Sequence, residues 1–220
     1  MIETKNLSVG YKETLVEHIS ISLSSGDLLV IQGKNGSGKT CLLKTLAGII
    51  PPKSGTISTN GKKPILITPF AGLYENMSFR EIATYLKDIA IVRHDIFDSR
   101  VSLINKLVDS ESLNKKCKYL SGGDRRIISV AIAFLVSGGL ILLDEPIENL
   151  SEKNVANILT LVQHIKDIGC TIVIVDHRNQ FISKATHILK INNKELVDPL
   201  TSNEDKTKKI TTNLHSLSYN

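Results

Sequence analysis

The stretch Gly33-Lys34-Asn35-Gly36-Ser37-Gly38-Lys39-Thr40 decides how the rest of the chain is read. It fits the pattern G-x-x-x-x-G-K-[ST], and its surroundings are those the pattern needs. Before it, residues 28–31 form the continuous apolar run of a strand buried on both faces. After it, residues 40–46 read as a helix. The residue types answer to a phosphate ligand. Glycines let backbone N–H groups wrap an anion without Cβ clashes. The helix that follows points its positive end at that anion. Lys39 is a point charge for the β- and γ-phosphates, and Thr40 offers a hydroxyl to Mg²⁺.

Outward from this loop, the chain sorts into strands and helices. Upstream, Ile19, Ile21 and Leu23 alternate with polar residues, as in a half-buried strand. Downstream, Pro51-Pro52 stops the helix. Short strands are expected at 56–58 and 65–67, joined as a hairpin by a turn at Asn60-Gly61. Over residues 78–118 apolar positions recur at helical spacing: Ile82, Tyr85, Leu86 and Ile89, then Val101, Ile104 and Leu107. Strands at 140–143, 171–175 and 188–191 then flank helices near 151–167 and 178–185. Such alternation implies an α/β fold with a mostly parallel sheet flanked by helices, and the phosphate loop within it makes that fold of the P-loop NTPase kind. An N-terminal antiparallel β region and a small helical subdomain (about 78–135) complete it. One domain is expected over 1–198, followed by a polar, loosely ordered tail over 199–220. No internal repeat is present, so there is one nucleotide-binding unit.

Composition narrows the field. The 220 residues, 41% hydrophobic and 22% charged, suit one globular domain. A formal charge of +5 suits an anionic ligand or a membrane surface, and equally neither. Cys41, Cys117 and Cys170 are too sparse for a disulfide framework or a metal site, which fits a reducing compartment. No apolar stretch of signal-peptide length opens the chain. Residues 127–143 carry no charge, but Ser137, Gly138 and Gly139 interrupt them, and the run is shorter than the ~20 residues of a spanning helix. It reads as buried helix, tight turn and buried strand. The protein is expected to be soluble, and any membrane association to come through a partner.

Two strand ends carry candidate chemistry. Leu140-Ile141-Leu142-Leu143 is followed by Asp144, Glu145 and Pro146. A buried strand ending in carboxylates delivers them to the sheet edge where ligands of open α/β sheets bind. There Asp144 would hold the Mg²⁺ shell, and Glu145 would orient and polarise an attacking water. His177 closes the strand Ile172-Val173-Ile174-Val175-Asp176 and is placed to reach a γ-phosphate. Read alone, solvated acids and a surface histidine would account for these residues; the phosphate loop tips the reading.

A fourth segment, Leu120-Ser121-Gly122-Gly123, lies shortly before the acidic strand. Phosphate loop, this segment, acidic strand and strand-terminal histidine, in that order, resemble the ABC transporter ATP-binding subunit over roughly residues 1–198. The resemblance implies an ATP hydrolase that uses ATP and Mg²⁺. It implies two chains per pair of sites, ATP lying between the phosphate loop of one and the signature Ser121, Gly122 and Gly123 of the other. It implies Glu145 and His177 as catalytic residues, Thr40 and Asp144 at the metal, and Gly33, Lys34, Asn35, Gly36, Ser37, Gly38, Lys39 and Thr40 around the triphosphate. Tyr11 matches the aromatic position that stacks on adenine. Expected partners are an integral membrane transporter subunit and a second copy of the chain, at the cytoplasmic side of the cell membrane; no nucleic acid is expected.

Three positions depart from the family pattern. Asp124 stands where Gln usually follows the signature glycines, with Arg125 and Arg126 expected to offset much of its charge. Thr68-Pro69-Phe70-Ala71 lacks the usual metal-binding Gln, and Ser151 stands where the loop after Glu145 usually carries Asp. The segments Lys116-Cys117-Lys118-Tyr119-Leu120-Ser121 and Leu143-Asp144-Glu145-Pro146-Ile147-Glu148-Asn149-Leu150-Ser151 look like divergent haem exporter ATP-binding proteins of cytochrome c maturation. A metal-ion importer ATPase, suggested by the expected 55–65 hairpin, is the alternative. A soluble ATPase of the same type is the other; single-unit length and the lack of long heptads argue against its translation and repair forms.

Overall fold

The computed structural model describes residues 2–68, 74–89 and 92–191, and the backbone of a last strand at 195–197. In chain order the elements are β1 (Ile2–Gly10), β2 (Thr14–Leu23), β3 (Leu28–Gln32), α1 (Lys39–Leu46), β4 (Ser54–Ser58), β5 (Ile65–Ile67), α2 (Phe79–Ile89), α3 (His94–Leu107), α4 (Ser110–Asn114), α5 (Gly122–Val136), β6 (Leu140–Asp144), α6 (Glu152–Asp167), β7 (Thr171–Val175), β8 (His187–Lys190) and β9 (Glu195–Val197). Six strands form one sheet in the order β5-β6-β7-β3-β8-β9. All neighbours are parallel except β9, which runs antiparallel to β8. The strand that feeds the phosphate loop is therefore central, between β7 and β8.

That placement explains the unbroken apolar run of β3. Leu28 and Val30 enter one core, Leu29 and Ile31 the other, and none of the four is exposed. Successive strand residues point to opposite faces, so a strand covered on both sides must be apolar at every position. One core joins the sheet to α5, α6 and the helical subdomain. The other joins it to α1 and to a second, antiparallel sheet, β2-β1-β4, near the N-terminus. The expected fold class holds.

Two expectations need correction. Residues 54–67 are not a hairpin: β4 pairs with β1, whereas β5 pairs with β6 in the other sheet. The turn itself forms, Asn60 and Gly61 both taking positive φ (50° and 76°). Its flanks then part, because β4 is largely exposed and sits at the edge of the small sheet, while the apolar β5 completes the large one. Residues 178–185 are not a helix beyond the 3-10 turn Ile182–Lys184. Asn179 has φ 60°, and the Asp176 carboxylate accepts from the backbone N–H of Arg178 (2.8 Å) and Phe181 (3.1 Å). These contacts hold the chain in a loop.

The helical subdomain packs by a narrow apolar stripe. On α2, Ile82 and Leu86 are buried, but Tyr85 and Ile89 face outward. Ser78 and Glu81 cap this helix reciprocally, the carboxylate accepting from the Ser78 N–H at 2.7 Å. On α3, Arg100 reaches the far end of α5. It donates to the carbonyls of Phe134 (2.8 Å), Leu135 (3.2 Å) and Ser137 (2.8 Å) and stacks on the Phe134 ring. Among the described residues no helix is long and apolar enough to cross a membrane. The three cysteines are buried and free. The expected tail at 199–220 and Pro69, Phe70 and Ala71 lie outside the described residues.

Candidate active site

The phosphate loop closes around α1 because two glycines take a left-handed backbone: Gly36 at φ 79° and Gly38, the N-cap, at φ 95°. A Cβ at Gly38 would also meet Val16 Cγ2 at 2.7 Å. No side chain caps the helix, so its first N–H groups are left for a ligand. Lys39 is 5% exposed, and its Nζ donates to the carbonyls of Gly33 (3.0 Å) and Lys34 (2.8 Å). Burial lowers its pKa, with Glu145 and Asp144 opposing that shift. Ser37 Oγ is buried and has no hydrogen-bond partner among the described residues.

Across from the loop, β6 delivers the acids. Asp144 is 4% exposed; one carboxylate oxygen accepts from Thr40 Oγ1 at 2.9 Å, and the other is buried without a partner among the described residues. Burial pushes its carboxyl up, while the Thr40 hydroxyl and Lys39 pull it down. A buried carboxylate with a free oxygen beside a threonine hydroxyl is a donor set that suits a hard divalent cation. Glu145 turns the chain out of the strand at φ 50°, strained for a residue with a Cβ. Its Oε1 lies 2.7 Å from His177 Nε2. Desolvation raises the Glu145 carboxyl, and the neighbouring Glu148 carboxyl raises it further. Asp176, 2% exposed, fixes the loop that carries His177 through its two backbone hydrogen bonds.

Phosphate loop and acids face one cleft of ≈ 290 Å³. Asn35, Gly36, Gly38, Lys39, Thr40, Glu145 and Glu148 line it, with Tyr11 and Leu15 on its wall. Tyr11 is 56% exposed, an aromatic face open beside the phosphate loop. Such a cleft can cradle a polyphosphate at one end, a ring at the other, and carry carboxylates to the terminal phosphate.

The segment 121–123 is not part of this cleft. Ser121 is the N-cap of α5; Gly122 is exposed with open space around it, and Gly123 is buried against the Asn154 side chain. Sequence reasoning gave no site role to Asp176 or Glu148, and expected Arg126 to offset the charge of Asp124. Arg126 donates to the Thr68 carbonyl at 3.0 Å and places its charge near Glu148, Asp144 and Glu145. Asp176 was legible as the acid just before His177. Glu148 was legible as the third residue beyond Glu145, whose carbonyl accepts from its N–H at 3.3 Å. Arg126 had no local signal towards the acids, because only the packing of α5 against β5 and α6 brings it there.

A family model described as "ABC transporter" matches residues 16–148. The chain is 30% identical over 189 residues to ABC transporter G family member 20 of Dictyostelium discoideum, covering 80% of this chain and 26% of that protein. It is 29% identical over 229 residues to the lipoprotein-releasing system ATP-binding protein LolD of Buchnera aphidicola, covering 89% of this chain and 96% of that one. It thus spans about a quarter of one relative and nearly all of the other. Among solved structures, it superposes on an inward-facing putative metal-chelate type ABC transporter with a TM-score of 0.76 and 25% identity, over 91% of this chain and 84% of that chain.

Proposed function

The chain belongs to the ABC transporter family and carries its ATP-hydrolysing cassette, and from that premise we propose that it powers a separate membrane subunit. The observation that carries the reading is the cleft that joins the phosphate loop, Tyr11 and Glu145, whose carboxylate is hydrogen-bonded to His177. The triphosphate lies along residues 33–40, with Lys39 leaving its two carbonyls for the β- and γ-phosphates and Tyr11 stacking on adenine. Thr40 and Asp144 hold Mg²⁺, which when bound neutralises charge on the phosphate oxygens. Glu145 orients and polarises the water that attacks the γ-phosphorus, and its raised proton affinity helps it take up the proton. His177 fixes the Glu145 carboxylate through their shared hydrogen bond and stands ready to bond the γ-phosphate.

The separation of residues 121–123 from the cleft supports a two-copy arrangement, in which each signature closes the other copy's site. The membrane subunit holds the pair at the cytoplasmic face of the cell membrane. For the cargo we propose haem export for c-type cytochromes, on the resemblance of residues 116–121 and 143–151. A metal-chelate importer is the second reading. It is favoured by the likeness to the solved metal-chelate type transporter, and no longer by the hairpin, which does not form.

Depletion of the protein tests the cargo. Loss of haem-attached c-type cytochromes with b-type cytochromes spared is the expected result. Equal loss of both, or no loss, points to metal-chelate uptake. Purification from detergent-solubilised membranes should bring down one integral membrane protein; isolation without any would count against the transport role.

A further inference from the structure

We propose that Asp124 is a positioning residue for Ser121, holding the signature serine as an internal anion that a second copy's triphosphate must displace. This rests on the two-copy reading above. Ser121 Oγ accepts from the Asp124 N–H at 3.1 Å and donates its proton to Asp124 Oδ2 at 2.7 Å. A serine hydroxyl has one proton to give. While Asp124 takes it, no phosphate oxygen can. The carboxylate also sits in the first turn of α5, where the helix's positive end favours an anion. It therefore fills, within the chain, the electrostatic role that a phosphate would fill between chains.

The arginines that follow do not cancel this charge. Arg125 is turned back to the carbonyls of Cys117 and Lys118, both at 2.9 Å. Arg126 is turned to Thr68. Among the described ion pairs none involves Asp124. Gly123 is covered by Asn154, so Ser121 and Gly122 are the signature residues open to a second copy. Pairing thus requires the Ser121 hydroxyl to rotate from Asp124 to the phosphate, leaving two anions face to face.

The test uses Glu145→Gln, which keeps the site's shape and stalls turnover, with pairing followed by sedimentation in MgATP. Adding Asp124→Gln keeps a residue suited to that capping position but replaces the carboxylate with a neutral, weaker acceptor for the Ser121 hydroxyl. It should tighten pairing about three- to tenfold at low salt, the scale of one charge pair ~10 Å apart after screening. The gain should shrink towards none near 1 M salt, where the Debye length is about 3 Å. Ser121→Ala should weaken pairing more when combined with Asp124→Gln than when made alone, because a neutral acceptor gives the hydroxyl up to the phosphate more readily than a carboxylate does. A purely structural cap would give neither the salt dependence nor that coupling. If Glu145→Gln pairs but Asp124→Gln leaves affinity unchanged or lowers it, the proposal is overturned and the two-copy reading stands. If no variant pairs at any MgATP or protein concentration tested, the two-copy reading fails and takes the proposal with it.

Discussion

Lys39 and Asp144 show how single residues are set up for ligands at a cost to the fold. Both are almost fully buried, and burial shifts each towards its neutral form. Lys39→Ala removes the buried cation from the phosphate loop. Phosphate-release assays should show a loss of about 10²–10³ in turnover, on the order of 3–4 kcal/mol, the scale for one preorganised electrostatic group; full activity would overturn the site. Asp144→Asn should go the other way in stability. The folded carboxyl binds its proton more readily than the unfolded one, so its ionised form destabilises the fold at neutral pH. That penalty is relieved as pH falls through the raised folded value. The Asn variant should therefore melt higher at pH 7 without nucleotide or Mg²⁺, at about 2–4 °C per kcal/mol recovered. Its advantage should narrow as the solution is acidified. A lower melting temperature at pH 7 would show that the Thr40 hydrogen bond outweighs desolvation. The phosphate loop was legible residue by residue because its chemistry is local: glycines, a lysine and a hydroxyl at fixed spacing. Pairing of Glu145 with His177 was not, since 32 positions separate them and only adjacent parallel strands bring them to one edge.

At the scale of elements, α5 is where packing most clearly overrides pattern. Residues from Ile127 to Leu135 are largely buried, so no amphipathic stripe marks its inward face. Its C-terminal carbonyls need donors, and Arg100 of α3 supplies one through a single nitrogen, Nη1, that lies among three of them. Arg100→Ala should destabilise the chain by about 2–4 kcal/mol in urea unfolding, because it strands carbonyls of the last turn and removes the stacking on Phe134. Arg100→Lys should recover only part of that, since an ammonium can donate to the carbonyls but cannot stack a planar group on the Phe134 ring. A loss below about 0.5 kcal/mol for the Ala variant would mean that water satisfies those carbonyls. The failed reading at 178–185 has the same lesson in reverse. A helix was expected there from the alternation of strands and helices, but the buried Asp176 competes for the backbone N–H groups and wins.

Over the whole molecule, stability should be unevenly spread. Strands β3 and β7 lie inside the six-stranded sheet with both faces covered, whereas α3 buries only Phe97 and Ile104 fully. Native-state hydrogen exchange should find amides of α3 opening at distinctly lower free energy than those of β3 and β7, whose protection should approach global unfolding. Uniform protection across both would mean that the helical subdomain and the sheet unfold as one unit.

By itself the sequence determined the fold class, the phosphate loop, the acidic strand end and the order in which they come. Each of these depends on contacts within a few residues, or on whether a strand is covered on both faces, and such features leave a local pattern. Tertiary structure alone decided which sheet β5 joined, that 178–185 stays a loop, that Arg125 and Arg126 turn away from Asp124, and that Arg126 comes to the acids. Those outcomes are competitions between distant partners for the same donors, edges and apolar surface. The winner is set by the packed geometry, which no local window contains.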